Sequence, residues 1–216
     1  VTERTKAIFV CNPNNPTGTM NTRAELEAFI ARIPPEVLII IDQAYYEYVE
    51  DAAYPNGIEF KGDGRVLTLR TFSKIYGLAG LRVGYGVGDS ELIALINRTR
   101  EPFNVNRIGQ MAAVAALADR EHLARSLEVN RQGMEQIYRG LTELGLSYTP
   151  SVANFILFST PYPAPQVFKE MMKKGVIVRP AHIFGLPQQI RVTIGTEEQN
   201  AKFLSVLKAV LADLRK

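Results

Sequence analysis

One lysine, Lys74, stands alone between Lys61 and Lys169, within the stretch RTFSKIYGLAGLRVGYG that runs from Arg70 to Gly86. It follows the β-like run VLTLRT, beside the hydroxyls of Thr71 and Ser73, with Arg82 eight positions on. A lysine next to a buried apolar strand loses solvation, which favours the neutral amine, the form that attacks a carbonyl. Ser73, Thr71 and the forked guanidinium of Arg82 make a donor set suited to a phosphate. Two further apolar runs end in reactive side chains. VLIIID ends in Asp42, with Tyr45 three residues later, and a carboxylate at the end of a buried strand demands a cationic or hydrogen-bonding partner. KAIFVCN runs into NPNNPTG, where two prolines, three asparagines and a glycine build a rigid turn able to aim a side-chain amide. Together the three places describe a pocket for a molecule with an aldehyde, a protonatable ring nitrogen and a phosphate.

The elements that must position these residues are legible from the apolar pattern. KAIFVCN, VLIIID and VLTLRT are near-continuous apolar runs, as in strands buried on both faces of a parallel sheet. In such sheets ligands bind beyond the carboxyl ends of the strands, which is where the reactive residues fall. TRAELEAFIARI lies between the first two runs. Thr22 and Glu25 have capping-box spacing, and Leu26, Phe29, Ile30 and Ile33 share one helical face, completing a βαβ unit. RVGYGVG predicts another strand and Ser90 to Arg98 a helix. TREPFNVNRIGQ reads as a loop, MAAVAALAD as a helix, and a long helix is expected from His122 to Leu144, stopped by Gly145. After it come the strand NFILF, a helix from Pro165 to Lys174 closed by Gly175, the strands VIVRPA and QIRVTIG, and a capped helix with an apolar stripe through Phe203, Leu207 and Val210. The expected fold class is α/β, a mostly parallel sheet followed by a small α+β unit. The expected division is 1–120 and 121–216.

Composition narrows the function classes. The chain has 216 residues, 46% of them hydrophobic, enough for a substantial core. Lys plus Arg exceed Asp plus Glu by 25 − 22 = 3, without a basic run, so no nucleic-acid face is indicated. A small or phosphorylated metabolite is the expected ligand. The single Cys11 excludes an internal disulfide, and no apolar run reaches the length of a membrane span, so a cytoplasmic protein is expected. His122 and His182 lack metal-ligand spacing, and no metal site is expected. GYGVG lacks the last glycine of a dinucleotide loop, where Asp89 stands. The chain opens at Val1 directly into a strand pattern, which suggests part of a longer protein.

NPNNPTG, IDQAY and TFSKIYGLAGLRVG, in this order and spacing, resemble the pyridoxal-phosphate-dependent aminotransferases of the aspartate aminotransferase fold. REPFNVNRIGQ, ANFILF, GVIVRP and IRVTIGT bring the resemblance closer to the histidinol-phosphate aminotransferases. The resemblance implies that Lys74 carries pyridoxal 5'-phosphate as a Schiff base and moves the substrate proton, and that Asp42 pairs with the ring nitrogen. It implies Asn15 and Tyr45 at the ring oxygen, and Ser73, Arg82 and Thr71 at the phosphate. Arg191 matches the arginine that grips the substrate carboxylate, with Arg179 a second candidate for an anionic substrate group. The implied reaction moves an amino group between glutamate and imidazole acetol phosphate in histidine biosynthesis, with 2-oxoglutarate and histidinol phosphate as the products, in a homodimer of the full-length protein. Family members carry an upstream segment with a phosphate-cupping glycine turn and a stacking aromatic, so this stretch alone is expected to bind cofactor weakly and not to turn over.

Several choices stay open on the residues themselves. Tyr46 and Tyr48 compete with Tyr45, Asn15 could serve only its turn, and Arg191 faces away from Ile190 and Val192 as a solvent-facing arginine would. An aromatic or aspartate aminotransferase, a threonine-phosphate decarboxylase, and the aminotransferase-like sensor domain of a transcription regulator are the alternative readings.

Overall fold

The computed structural model describes residues 1–215, and the chain divides into two compact units. The first comprises Val1–Asn14 and Met20–Ala124; the second comprises Asn15–Thr19 and the chain from Arg125 onward. Among the described residues no helix is long and apolar enough to cross a membrane.

The first unit is built on a four-stranded sheet of β1 (Ala7–Cys11), β2 (Leu38–Asp42), β3 (Val66–Thr71) and β4 (Gly84–Gly88), in that spatial order. β1, β2 and β3 are parallel, and β4 runs antiparallel to β3. The crossover between β1 and β2 is α1 (Arg23–Arg32), whose start is the expected capping box: Thr22 accepts from the Glu25 amide while Glu25 accepts from the Thr22 amide at 2.7 Å. Leu26 and Ile30 from α1 pack on Ile39, Ile41 and Val66, which are fully buried. That packing fixes which face of β2 and β3 turns inward, and hence which residues at their ends face the other way. Two helices follow, α2 (Ser90–Thr99) and α3 (Arg107–Ala118). The segment Arg107–Gln110, expected as loop, is helical because the Asn106 side chain caps it, accepting from the Gly109 amide at 2.7 Å.

The long helix α4 (Arg120–Glu143) begins two residues before the expected His122, just after Asp119, whose carboxylate accepts from the His122 amide at 2.9 Å. The second unit adds an antiparallel sheet in the order β5 (Tyr148–Thr149), β6 (Phe155–Ser159), β8 (Gln189–Thr193), β7 (Arg179–Pro180), with α5 (Ala164–Lys173) and α6 (Glu197–Leu214). Only Arg179 and Pro180 of the expected strand VIVRPA pair with β8. Ile137, Leu141, Ile156, Phe158, Ile190 and Leu207 are fully buried in one core. Each such side chain contributes about 1.5–3 kcal/mol of hydrophobic stabilisation before its entropy is counted.

Candidate active site

β2 and β3 are parallel, so the side chains beyond their carboxyl ends emerge at one edge of the sheet. Asp42 is in register with Leu69, and side-chain alternation therefore puts Asp42, Leu69 and Thr71 on one face while Gln43 and Arg70 take the opposite face. The Asp42 carboxylate accepts from the Ala44 amide at 3.0 Å and has no ion pair among the described residues. Lys74 lies in the turn after β3, half-buried, its Nζ 5.2 Å from the centroid of the Tyr45 ring. Tyr45 is 6% exposed, and this separates it from its neighbours: Tyr46 lies under the Arg70 guanidinium. The choice among three tyrosines, open in the sequence, thus falls on Tyr45 as the ring beside the lysine.

Thr71 shapes the turn that carries Lys74, its Oγ1 accepting from the Ser73 amide at 3.0 Å and donating to the Val83 carbonyl at 3.5 Å. Arg82 comes back to the same turn, donating from Nη1 to the Ser73 hydroxyl at 3.5 Å and to the Ala79 carbonyl at 2.9 Å. Its φ is 56°, the left-handed region that a residue with a Cβ rarely occupies. A strained cation held beside a hydroxyl is the kind of outlier that clusters at ligand sites. Cys11, across from Asp42 in β1, has its thiol pushed up by burial and by the Asp42 charge.

Asn15 and Arg191 are brought together within the second unit, Arg191 Nη1 donating to Asn15 Oδ1. The Arg191 guanidinium also lies over the Phe155 ring at 5.0 Å, and its buried Nε has no hydrogen-bond partner. The sequence left open a plain solvent-facing arginine; these contacts are those of a half-buried one. Arg179 is directly opposite Arg191 across β7 and β8, and is exposed. Like charges in that position repel. Both help to line a cavity of ≈ 820 Å³ that also includes Lys202. The turn carrying Asn15 is seated by Gly18 at φ +74°, where a Cβ would come within 2.1 Å of Ser151 Oγ.

Two residues around the site escaped the sequence. His122, expected as a surface or packing residue, places Nε2 2.9 Å from the carbonyl of Ile75, the residue after Lys74. No sequence signal could have shown this, because the partner is a backbone atom 47 positions away. Arg70 is 6% exposed on the α1 side of β3. Its signal was available: a charge inside VLTLRT at a position that alternation assigns to the buried face.

The family model for aminotransferase class I and II matches residues 1–207. The chain belongs to the class I and II aminotransferase family. Within it, the chain is 51% identical to the histidinol-phosphate aminotransferase of Moorella thermoacetica over 98% of its own length and 55% of that protein. It is 45% identical to the histidinol-phosphate aminotransferase of Bacillus subtilis over 98% of the chain and 59% of that protein. The chain therefore spans little more than half the length of these curated relatives. Among solved family structures, the histidinol-phosphate aminotransferase of Sinorhizobium meliloti in complex with pyridoxal-5'-phosphate superposes with a TM-score of 0.90 at 29% identity, covering 96% of this chain and 58% of that one. A Thermus thermophilus aspartate aminotransferase with maleate gives 0.81 at 27% identity, over 98% and 58%. The fold is that of the aspartate aminotransferases, as the motifs implied.

Proposed function

We propose that the chain carries the cofactor-binding residues of a pyridoxal-phosphate-dependent histidinol-phosphate aminotransferase. One observation carries the reading: Lys74 and Asp42, a half-buried amine and a half-buried carboxylate, stand at the same sheet edge, and neither has an ion pair among the described residues. Two such half-buried polar groups left apart are costly unless a ligand meets both. With Tyr45 beside the lysine and Ser73 beside Arg82, the donor set fits a phosphorylated aldehyde on a basic ring.

Pyridoxal phosphate, when bound, supplies an electrophilic carbonyl carbon and a ring that withdraws electrons from the neighbouring carbon. The chain supplies the rest. Lys74 Nζ would hold the cofactor and, as a free amine, would take the α-proton from the substrate and return it. The Asp42 carboxylate would pair with the protonated ring nitrogen. The Tyr45 hydroxyl would orient the ring oxygen, a role the resemblance gives to Asn15 as well, and Ser73, Arg82 and Thr71 would hold the phosphate. Arg191 and Arg179 take the anionic group of the substrate: their like charges, directly opposed, are relieved by an anion between them. The substrates are glutamate and imidazole acetol phosphate, or histidinol phosphate and 2-oxoglutarate in reverse, and the setting is the cytoplasm. The protein acts as a homodimer, a reading supported by Ile108, Met111, Val114 and Leu117, which form an exposed apolar stripe along α3.

Borohydride reduction of the full-length protein mixed with pyridoxal phosphate, followed by peptide mass mapping, tests the reading. The expected adduct is on Lys74. An adduct elsewhere, or none, refutes it. Assays of the full-length protein with phosphate-bearing and carboxylate-bearing amino donors test the substrate.

A further inference from the structure

The Arg70 guanidinium is buried and bonded on several sides, and among the described residues none of its hydrogen bonds goes to a proposed site residue. It donates from Nε and Nη2 to Gln43 Oε1 at 3.2 and 2.9 Å, and from Nη2 to Asn56 Oδ1 at 2.9 Å. Its Nη1 lies 3.9 Å from the Glu47 carboxylate, and its Cζ sits 3.3 Å from the centroid of the Tyr46 ring. Gln43, with no exposed surface, uses both ends of its amide. Oε1 also accepts from the Gly57 amide at 3.0 Å, and Nε2 donates to the Tyr54 hydroxyl at 3.0 Å and to the Pro55 carbonyl at 2.8 Å. The Tyr54 hydroxyl in turn donates to the Asn12 carbonyl at the end of β1. Burial holds that phenol well above its usual range, so it stays a donor.

A buried arginine is expensive to desolvate, and hydrophobic replacements of such groups are often at least as stable. The cluster's location suggests what it does. Gln43 follows Asp42 directly, and Arg70 precedes Thr71, the residue that shapes the Lys74 turn. Because alternation sends Gln43 and Arg70 to the face opposite Asp42 and Thr71, the cluster lies behind the site, joining the ends of β2 and β3 across the register that aligns them. Register pairing between β2 and β3 ends at Asp42 and Leu69, with one further backbone bond from the Gln43 amide to the Leu69 carbonyl at 3.0 Å, while Arg70 and Thr71 stay paired only with β4. We propose that Arg70, acting through Gln43, is a positioning residue: it clamps the carboxyl ends of β2 and β3 from the reverse face and so fixes the Asp42 carboxylate relative to the Thr71–Lys74 turn. The inference rests on the aminotransferase reading, in which that separation must match the cofactor. Lysine cannot replace arginine there, because its single ammonium lacks the fork that grips Gln43 and Asn56 together.

The test, made in the full-length protein, is Arg70→Lys, with Gly57→Ala as a second variant. A Cβ at Gly57 would sit 2.8 to 2.9 Å from Thr68 and from Gln43 Oε1, disturbing the same amide without touching the charge. Amide hydrogen exchange is followed at Ala44 and Ser73, whose N–H groups bond the side chains of Asp42 and Thr71. Both variants are expected to speed exchange at these two amides by about tenfold or more, while Ile39 and Val66, near the amino ends of the two strands, keep their rates. Affinity for pyridoxal phosphate, read from its absorbance, should fall by about tenfold in parallel. Unchanged rates at Ala44 and Ser73, or a uniform rise at all four amides, overturns the inference while leaving the Lys74 adduct of the unsubstituted protein as evidence for the function. Absence of that adduct in the unsubstituted protein overturns both.

Discussion

Replacing Gly18 by alanine tests how the NPNNPTG turn is seated. The glycine has φ +74°, and a Cβ there would meet Ser151 Oγ at 2.1 Å and Ser151 Cβ at 2.6 Å. Left-handed backbone costs an alanine about 1 kcal/mol. The steric conflict involves a side chain held in place, because Ser151 Oγ accepts from the Ala153 amide at 3.1 Å and the neighbouring Val152 amide donates to the Gly18 carbonyl at 2.9 Å. Overpacking of that kind adds about 1–3 kcal/mol, so Gly18→Ala should lose about 2–4 kcal/mol. The two contributions separate in a double-mutant cycle. Ser151→Gly alone loses about 1 kcal/mol with its hydrogen bond, whereas in the Gly18→Ala background it removes the clash, giving a favourable coupling of about 1–3 kcal/mol. Urea unfolding at constant m supplies the energies. A loss below about 0.5 kcal/mol for Gly18→Ala, or strictly additive changes, would refute the reasoning.

In the second unit, Ile137→Ala removes a side chain with no exposed surface and should cost about 2–5 kcal/mol in the same unfolding assay. Arg82→Gly relieves the left-handed backbone while deleting the guanidinium, so stability should stay within about 1 kcal/mol of the parent. Cofactor affinity should nonetheless fall by about tenfold or more, as absorbance titration would report. Burial holds the Glu47 carboxyl above the usual carboxylate range, against the opposing pull of Arg70. The folded state therefore retains that proton longer than the unfolded chain, and the Glu47 contribution to stability falls as pH rises from the unfolded pKa through the folded one. Glu47→Gln should flatten that fall in a pH series of melting curves; an unaltered slope assigns it to another group. In the full-length protein, Arg191→Lys keeps the charge but loses the fork shared between Asn15 and an anion, and should raise KM for the phosphate-bearing substrate by about tenfold or more with a smaller change in kcat.

The amino-acid sequence by itself determined what depends on near neighbours in the chain. The capping box at Thr22 and Glu25, the apolar runs of β1, β2 and β3, and the placing of Asp42, Thr71 and Lys74 at or just beyond strand ends follow from local pattern and period. Asn106 was a local signal too, but its capping of α3 was hidden inside a stretch rich in loop-forming residues. Tertiary structure alone decided which of three adjacent tyrosines lies beside Lys74, that Arg191 bonds Asn15 176 positions away, and that His122 holds the carbonyl of Ile75. It also decided that Arg70 has its partners on other segments, at Gln43, Asn56 and Glu47. The physical reason is common to all of these. A strand's period says which face a side chain takes, but the atoms waiting on that face belong to other segments, brought there by sheet register and helix packing.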